Sequence, residues 1–290
     1  MHTLEEKTRL PRLGSAFLGT TLLITVASIL AANLDAQEQP PRTSNWDIAL
    51  GAGTVVVPRY LGSDEYWVLP FPMGQVTYRG RIYVGPTTNG TMGGGIGSYL
   101  VRTGPFRLAA EMGLAMDRPA DRADALAGMT DRAALGTAGL SLLYDDGLIH
   151  STMGIARGLN DHAGYLGTAR IGVTCVFWRR VVATADGSAN FANARQMRRE
   201  LGVSDVEAAS RGALIAAGDR RLRPSDAIVY KPDGGLMQVG GTLTMLVSVT
   251  GPWWLVAFGD ESWLANQPAS SPLVRSRNQG AAGLGILWRR

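Results

Sequence analysis

Histidine is the side chain best suited to acid–base work near neutral pH, and this 290-residue chain carries only His2, His150 and His162. His150 sits in an alternating apolar stretch, on the side that Ser141 of the preceding stretch can share. Such a pair needs a third orienting group to make a nucleophile. The chain has no G-x-S-x-G elbow and no H-E-x-x-H helix. Cys175 is the single cysteine, so no disulfide can form within the chain; between Val173 and Phe177 it reads as a small hydrophobe. The run Thr91-Met92-Gly93-Gly94-Gly95-Ile96-Gly97 lacks the Lys-Ser/Thr of a phosphate loop and reads as glycine on the inner face of a strand. Asp145-Asp146-Gly147 is too short to wrap calcium, and no Cys/His cluster has zinc spacing. No catalytic, cofactor or metal site is therefore expected. Two sets of charges remain. Arg107, Glu111 and Arg170, with Gln238, fall on the polar side of alternating segments and suit a narrow polar lumen. Arg195, Arg198 and Arg199, with Arg179 and Arg180, make a basic cluster in an otherwise irregular segment and suit docking of an acidic partner.

The elements that must carry these residues have a period of two. Trp46, Ile48, Leu50, Ala52, Thr54 and Val56 alternate with Asp47, Ala49, Gly51 and Gly53. Phe106, Leu108, Ala110, Met112 and Leu114 oppose Arg107, Ala109, Glu111 and Gly113. A helix would scatter Arg107 and Glu111 around its circumference, whereas a strand puts both on one side. The same pattern returns at 168–177 and 237–249, and Leu284, Ile286 and Trp288 close the chain. Charged residues make up only 18%, below the roughly 25% of soluble domains, and glycine reaches 37. Lys7 and Lys231 are the only lysines among 28 basic residues, and the arginines are scattered, which argues against a nucleic-acid stripe.

Lys7, Arg9 and Arg12 followed by the apolar stretch 13–32 and small residues at Ala32 and Ala36 read as a secretory signal over 1–36, with a polar leader over 37–45. The mature chain has no second run long enough for a membrane helix, so a life in the membrane requires a closed barrel. The alternation predicts an all-β transmembrane antiparallel barrel over 46–290, of about twelve strands with ten as the alternative. Expected starts lie near 46, 67, 81, 91, 105, 132, 148, 166, 211, 236, 252 and 278. Trp46, Tyr60, Tyr66, Trp67, Trp178, Trp253, Trp254, Trp263 and Trp288 fall near these strand ends, as interfacial belts would. Counting puts both termini and the short turns in the periplasm. It also leaves 179–210 as an anomalously long periplasmic connection, with a capping box at Ser204–Glu207 starting a short helix.

Three separated motifs give the chain a resemblance. The first is Gly51-x-Gly53-x-x-x-x-Pro58-x-Tyr60-x-Gly62-Ser63-Asp64. The second contains Gly202-Val203-Ser204, followed by Glu207-Ala208 and Ser210, and the third is Ser271-Pro272-Leu273-Val274. In this order they resemble the MipA/OmpV family of outer-membrane proteins across nearly all of the mature chain. The chain departs from the family pattern with Leu201 in place of an aromatic, with Glu207 where glutamine is common, and by ending Trp288-Arg289-Arg290. The resemblance implies a non-enzymatic barrel in outer-membrane lipid that scaffolds a murein lytic transglycosylase and a murein synthase, without nucleic acid or cofactor. A narrow solute pore and a surface adhesin are the alternatives.

Overall fold

A computed structural model describes residues 44–89, 94–160, 163–178 and 180–290. The expected signal, most of the leader, His162 and Arg179 lie outside them. Among the described residues no helix is long and apolar enough to cross a membrane. The chain crosses with strands instead. β1 (Trp46–Pro58), β2 (Tyr66–Tyr78), β3 (Ile82–Pro86), β4 (Gly94–Thr103), β5 (Phe106–Ala115) and β6 (Leu135–Asp145) form the first half. β7 (Ile149–Gly158), β8 (Tyr165–Phe177), β9 (Val181–Ala192), β10 (Gly235–Thr250), β11 (Trp253–Leu264) and β12 (Asn278–Arg289) complete it. Each strand pairs antiparallel with its sequence neighbour, and β12 closes on β1. The closure extends to the last residue, through Ile48 N–H to the Arg290 carbonyl (2.9 Å) and the reverse bond (2.8 Å). Closure gives every strand a partner on both sides, as lipid demands, although β2 meets β3 only over Val76–Tyr78.

Twelve strands are present, but the ninth is not the expected one. The stretch 211–217 is helical, because the capping box at Ser204 starts a helix, α2 (Asp205–Ala216), that runs through it. The ninth strand is Val181–Ala192, entered after Trp178 takes a left-handed φ of 49° and the Arg180 amide turns back to the Phe177 carbonyl (3.1 Å). This moves the long irregular connection. It spans 193–234, holds α1 (Ala194–Leu201) and α2, and lies at the end opposite the start of β1 and the end of β12. The expected long periplasmic connection over 179–210 therefore does not exist.

The alternation orients the strands as the sequence suggests. Leu50, Met112, Leu114, Ile171, Val173, Cys175, Leu243 and Leu284 are exposed on the outer face. Trp46, Trp253, Tyr66 and Trp263 are exposed at strand ends, where amphipathic rings suit the membrane interfaces. Three expected belt aromatics turn inward. Tyr60 packs within the loops, Trp254 packs against the interior, and Trp67 lies between the Arg59 and Arg122 guanidiniums at 5.5 and 5.7 Å. Met237, expected outside, is buried beside an irregularity in the β9–β10 register.

The interior is filled. Val55, Val57, Met73, Val182, Leu246, Val256, Phe258 and Leu287 form an apolar cluster inside the β1–β2 and β9–β12 wall. On the other side, Glu111 accepts hydrogen bonds from Tyr83 Oη (2.5 Å), Ser141 Oγ (2.8 Å) and the Thr88 amide (2.7 Å). These bonds fold the start of the β3–β4 loop into the barrel, where Thr87 and Asn89 are buried. A side chain at Gly139 or Gly154 would collide with Asn89.

Candidate functional site: the capped mouth and the turn rim

Three sequence motifs far apart in the chain meet at one end of the barrel. Tyr60, 4% exposed, donates its hydroxyl to the Leu273 carbonyl at 2.7 Å, joining the first motif to the third. Gly62 has φ +94°, a conformation that costs little only without a side chain, and a Cβ there would sit 2.7 Å from Val274. Its amide donates to Gln279 Oε1 (2.9 Å) and its carbonyl accepts from the Arg275 amide (2.7 Å). Ser63 is buried and its hydroxyl receives the Glu65 amide (3.0 Å), closing the turn, while Asp64 beside it is exposed. Pro58 ends β1 opposite Tyr66. In the third motif, Ser271 donates to the Leu201 carbonyl (2.6 Å), tying it to the second, and Pro272 sits half-buried in the same turn. In the second motif, Gly202 is backed by the Arg198 carbonyl, and Val203 exchanges both backbone hydrogen bonds with Tyr230.

Two buried carboxylates lock the loops further. Glu207 closes the capping box with Ser204 and accepts from the Thr130 amide (3.1 Å) and Arg132 (3.2 Å). Burial raises the Glu207 carboxyl; the bonds from Ser204 and Thr130 and the Arg132 charge more than cancel it and leave it below its ordinary value. Asp226 sits between two arginines. Arg275 grips it bidentately, with one bond at 2.8 Å, and Arg211 Nη2 lies at 3.7 Å. Burial again acts upward, and Arg275, the Arg223 amide and Arg211 outweigh it, so the carboxyl is held down. Arg211 is fully buried and also donates to the carbonyls of Asp226 (2.6 Å), Ala125 (3.0 Å) and Ala127 (3.1 Å). Four loops thus become one cap. The arginine–aspartate–arginine lock left no motif in the sequence, although Arg211 follows Glu207 by four residues and so shares its helix face.

The charged residues singled out from the sequence fall in three places. Glu111 is inside the barrel but anchors the folded-in loop, and Gln238 is buried beside β9. Arg170 points inward toward Asp186 and Asp260, and Arg107 lies near the turn end with its guanidinium 6.0 Å from the Tyr99 ring. His150 bonds Asp186 (2.7 Å), not Ser141, whose hydroxyl is committed to Glu111. Arg195, Arg198 and Arg199 lie on α1, on the cap. There they line, with Arg132 and Lys231, an open groove of about 510 Å³. Their expected periplasmic position is overturned by β9, which carries the chain to the cap end before residue 193 instead of after 217; the strands that follow keep their expected directions.

At the opposite end, the short turns and both strand termini form a basic rim. Arg79, Arg81, Arg102, Arg180 and Arg290 are exposed, and Trp178 is 87% exposed beside them. Arg79 lies over Tyr78 (5.2 Å) and Arg102 donates to the Gly80 carbonyl (2.6 Å). Acidic Asp146 is spent on the amides of Leu148 and Ile149.

Residues 50–290 match the family model described as MltA-interacting protein MipA. The chain belongs to this family. It is an outer-membrane barrel, and in such barrels the short turns and termini face the periplasm, so the MipA-family cap faces outward. No curated protein matches the sequence. Among solved structures, the chain is similar to the translocator domain of the autotransporter NalP from Neisseria meningitidis. The two share 8% identity at a TM-score of 0.37, over 91% of this chain and 99% of that one. OmpT of Vibrio cholerae is similar at 7% identity and TM-score 0.37, over 87% and 100%. OmpF of Salmonella typhi matches at 10% identity and TM-score 0.33, over 75% of this chain and 57% of its own.

Proposed function

We propose that this barrel catalyses nothing itself and docks murein-remodelling enzymes, a lytic transglycosylase foremost, on its periplasmic rim. The observation that carries the reading is the set of exposed arginines around Trp178 at the turn end. An exposed aromatic among exposed guanidiniums has the composition of an interface anchor, and arginine and tryptophan dominate binding energy at protein interfaces. The family description supplies the partner class, since it names interaction with MltA. The filled interior weighs against a solute pore, because the apolar cluster and the folded-in residues 87–89 occupy the space a solute would need. The test is capture of a purified murein lytic transglycosylase by the barrel carrying Arg79→Glu, Arg81→Glu, Arg102→Glu and Arg180→Glu together. Capture is expected to disappear, and undiminished capture would sink the proposal.

A second reading, an adhesin working through the outer loops, is favoured by the groove along α1. Arg195 and Arg198 are exposed there, outside the barrel and facing the surroundings of the cell. Cells displaying the protein should then adhere to a surface of acidic polysaccharide and lose that adhesion with Arg195→Glu/Arg198→Glu. Equal adhesion of the variant would remove this reading.

A further inference from the structure

Beneath the cap, among the β5–β6 loop, α1 and the barrel wall, lies a chamber of about 90 Å³. Tyr60, Arg118, Arg122, Thr137, Gln196 and Glu200 contribute to its lining. Arg118 enters it from the β5–β6 loop, where its backbone is fixed by both hydrogen bonds to Arg132 (2.7 and 3.0 Å). The residue is 7% exposed, and both terminal guanidinium nitrogens lack any hydrogen-bond partner. Glu200 and Glu207 offset part of its charge from a distance, but a buried guanidinium whose fork donates to nothing is costly, and the fork lacks an acceptor.

Three further observations say what would supply it. The Thr137 hydroxyl lines the same chamber, is buried and is also unpartnered, as is Nε of Arg122. The carboxylates at the chamber are already engaged. Asp117 receives the Arg122 guanidinium at 2.9 Å, and Glu200 receives the Gln196 side-chain amide at 2.9 Å with Arg199 3.9 Å away. Burial lowers the Arg118 guanidinium only to about 10, so it keeps its proton and its charge at neutral pH. The unspent groups are therefore donors, and one of them carries a full positive charge. The chamber has room for several waters or one small ion.

We propose that this chamber binds a small oxyanion of the carboxylate or phosphate class, held by the Arg118 guanidinium fork and the Thr137 hydroxyl beneath the cap. A guanidinium with both terminal nitrogens unused presents the parallel pair of donors that two oxygens of such an anion accept. The anion would bridge loop and barrel wall, because Arg118 belongs to the β5–β6 loop and Thr137 to β6.

The test uses the full refolded barrel in detergent, titrated with sodium acetate and separately with inorganic phosphate, with chloride balancing ionic strength. Thermal midpoint and calorimetric heat are read together. A saturable rise in midpoint with matching heat is expected for at least one of the two anions. Arg118→Gln should weaken that binding by about tenfold or more, the loss of one charge-assisted pair. Thr137→Val should weaken it less and Glu200→Gln should tighten it, because the nearest carboxylate is then neutral. Heat-modifiable migration on gels verifies that each variant is folded, and should Arg118→Gln fail to fold, the Thr137 and Glu200 variants carry the test. A chamber holding only water would show no saturable response to either anion, and that result overturns the proposal. Equal binding by all variants would do the same.

Discussion

The two ends of this barrel use arginine in opposite ways. On the cap, Arg211, Arg275 and Arg122 are buried and spend their donors on carbonyls and carboxylates of neighbouring loops. On the turn rim, Arg79, Arg81, Arg180 and Arg290 stand in solvent. The motifs that reveal the family lie almost wholly on the cap, and their members hold loops together: Tyr60 on Leu273, Gly62 on Gln279 and Arg275, Ser271 on Leu201. A recognisable motif here marks an architectural joint. The docking proposed above is therefore sought where arginines are exposed, at the rim and along α1.

The comparison breaks most visibly at Asp226. Asp226→Asn keeps the shape but removes the negative charge between two buried guanidiniums. Breaking a buried pair in this way costs about 3–5 kcal/mol. The loss should fall on the cap rather than the barrel, because the strand ladder does not include Asp226. Hydrogen exchange is expected to show residues 203–230 losing protection, while the strands keep theirs and the protein still migrates as a heat-modifiable barrel. Retained protection of the cap would show that the lock contributes little.

How much of this was readable beforehand differs by region for a physical reason. Strands with large outward residues declared themselves: Phe106, Leu108, Met112 and Leu114 against Arg107 and Glu111 leave little choice. β9 did not, because between Val181 and Phe191 its outward positions are Ala183, Ala185, Gly187 and Ala189, too small to register as an apolar face. Its inward positions Thr184, Asp186, Ser188 and Asn190 do alternate with them, and that polar-against-small rhythm was the available signal. The stretch Arg211–Ala217 looked strand-like in isolation, yet a capping box seven residues upstream and a run of good helix formers outvote it. That one exchange of strand for helix reversed the assigned side of Arg195, Arg198 and Arg199. The motif joints were legible as residues but not as contacts. A hydroxyl meeting a carbonyl 213 positions away leaves no local trace.

A smaller effect sharpens the same contrast through pH. Glu207 and Asp226 are both held below their ordinary values in the folded cap. A depressed folded value means that the stabilisation is fully present above the unfolded value. It is lost as pH falls from about 4 through the folded value. Cap protection should therefore be level from pH 7 to about 5 and decline below that, whereas the barrel ladder should not respond in this range. Glu207→Gln keeps the capping box but removes the charge, and should flatten part of the decline. An unaltered profile in that variant would assign the whole acid response to Asp226 and its neighbours.

The smallest effect on stability is expected where the effect on function is largest. Arg81→Glu with Arg180→Glu alters two exposed side chains outside the strand interiors, and exposed substitutions of this kind change stability by about 0.5 kcal/mol or less. Thermal midpoints of wild type and variant should therefore nearly coincide. Affinity for a docked transglycosylase should not. The wild-type complex is expected to weaken as salt rises, because exposed charges attract a partner through solvent and are screened within about 10 Å at 0.1 M. The variant should bind weakly at low salt and lose the salt dependence. If the variant instead lowers the midpoint by several degrees, the rim arginines are structural after all, and the division of labour between the two ends fails at the point where it was drawn.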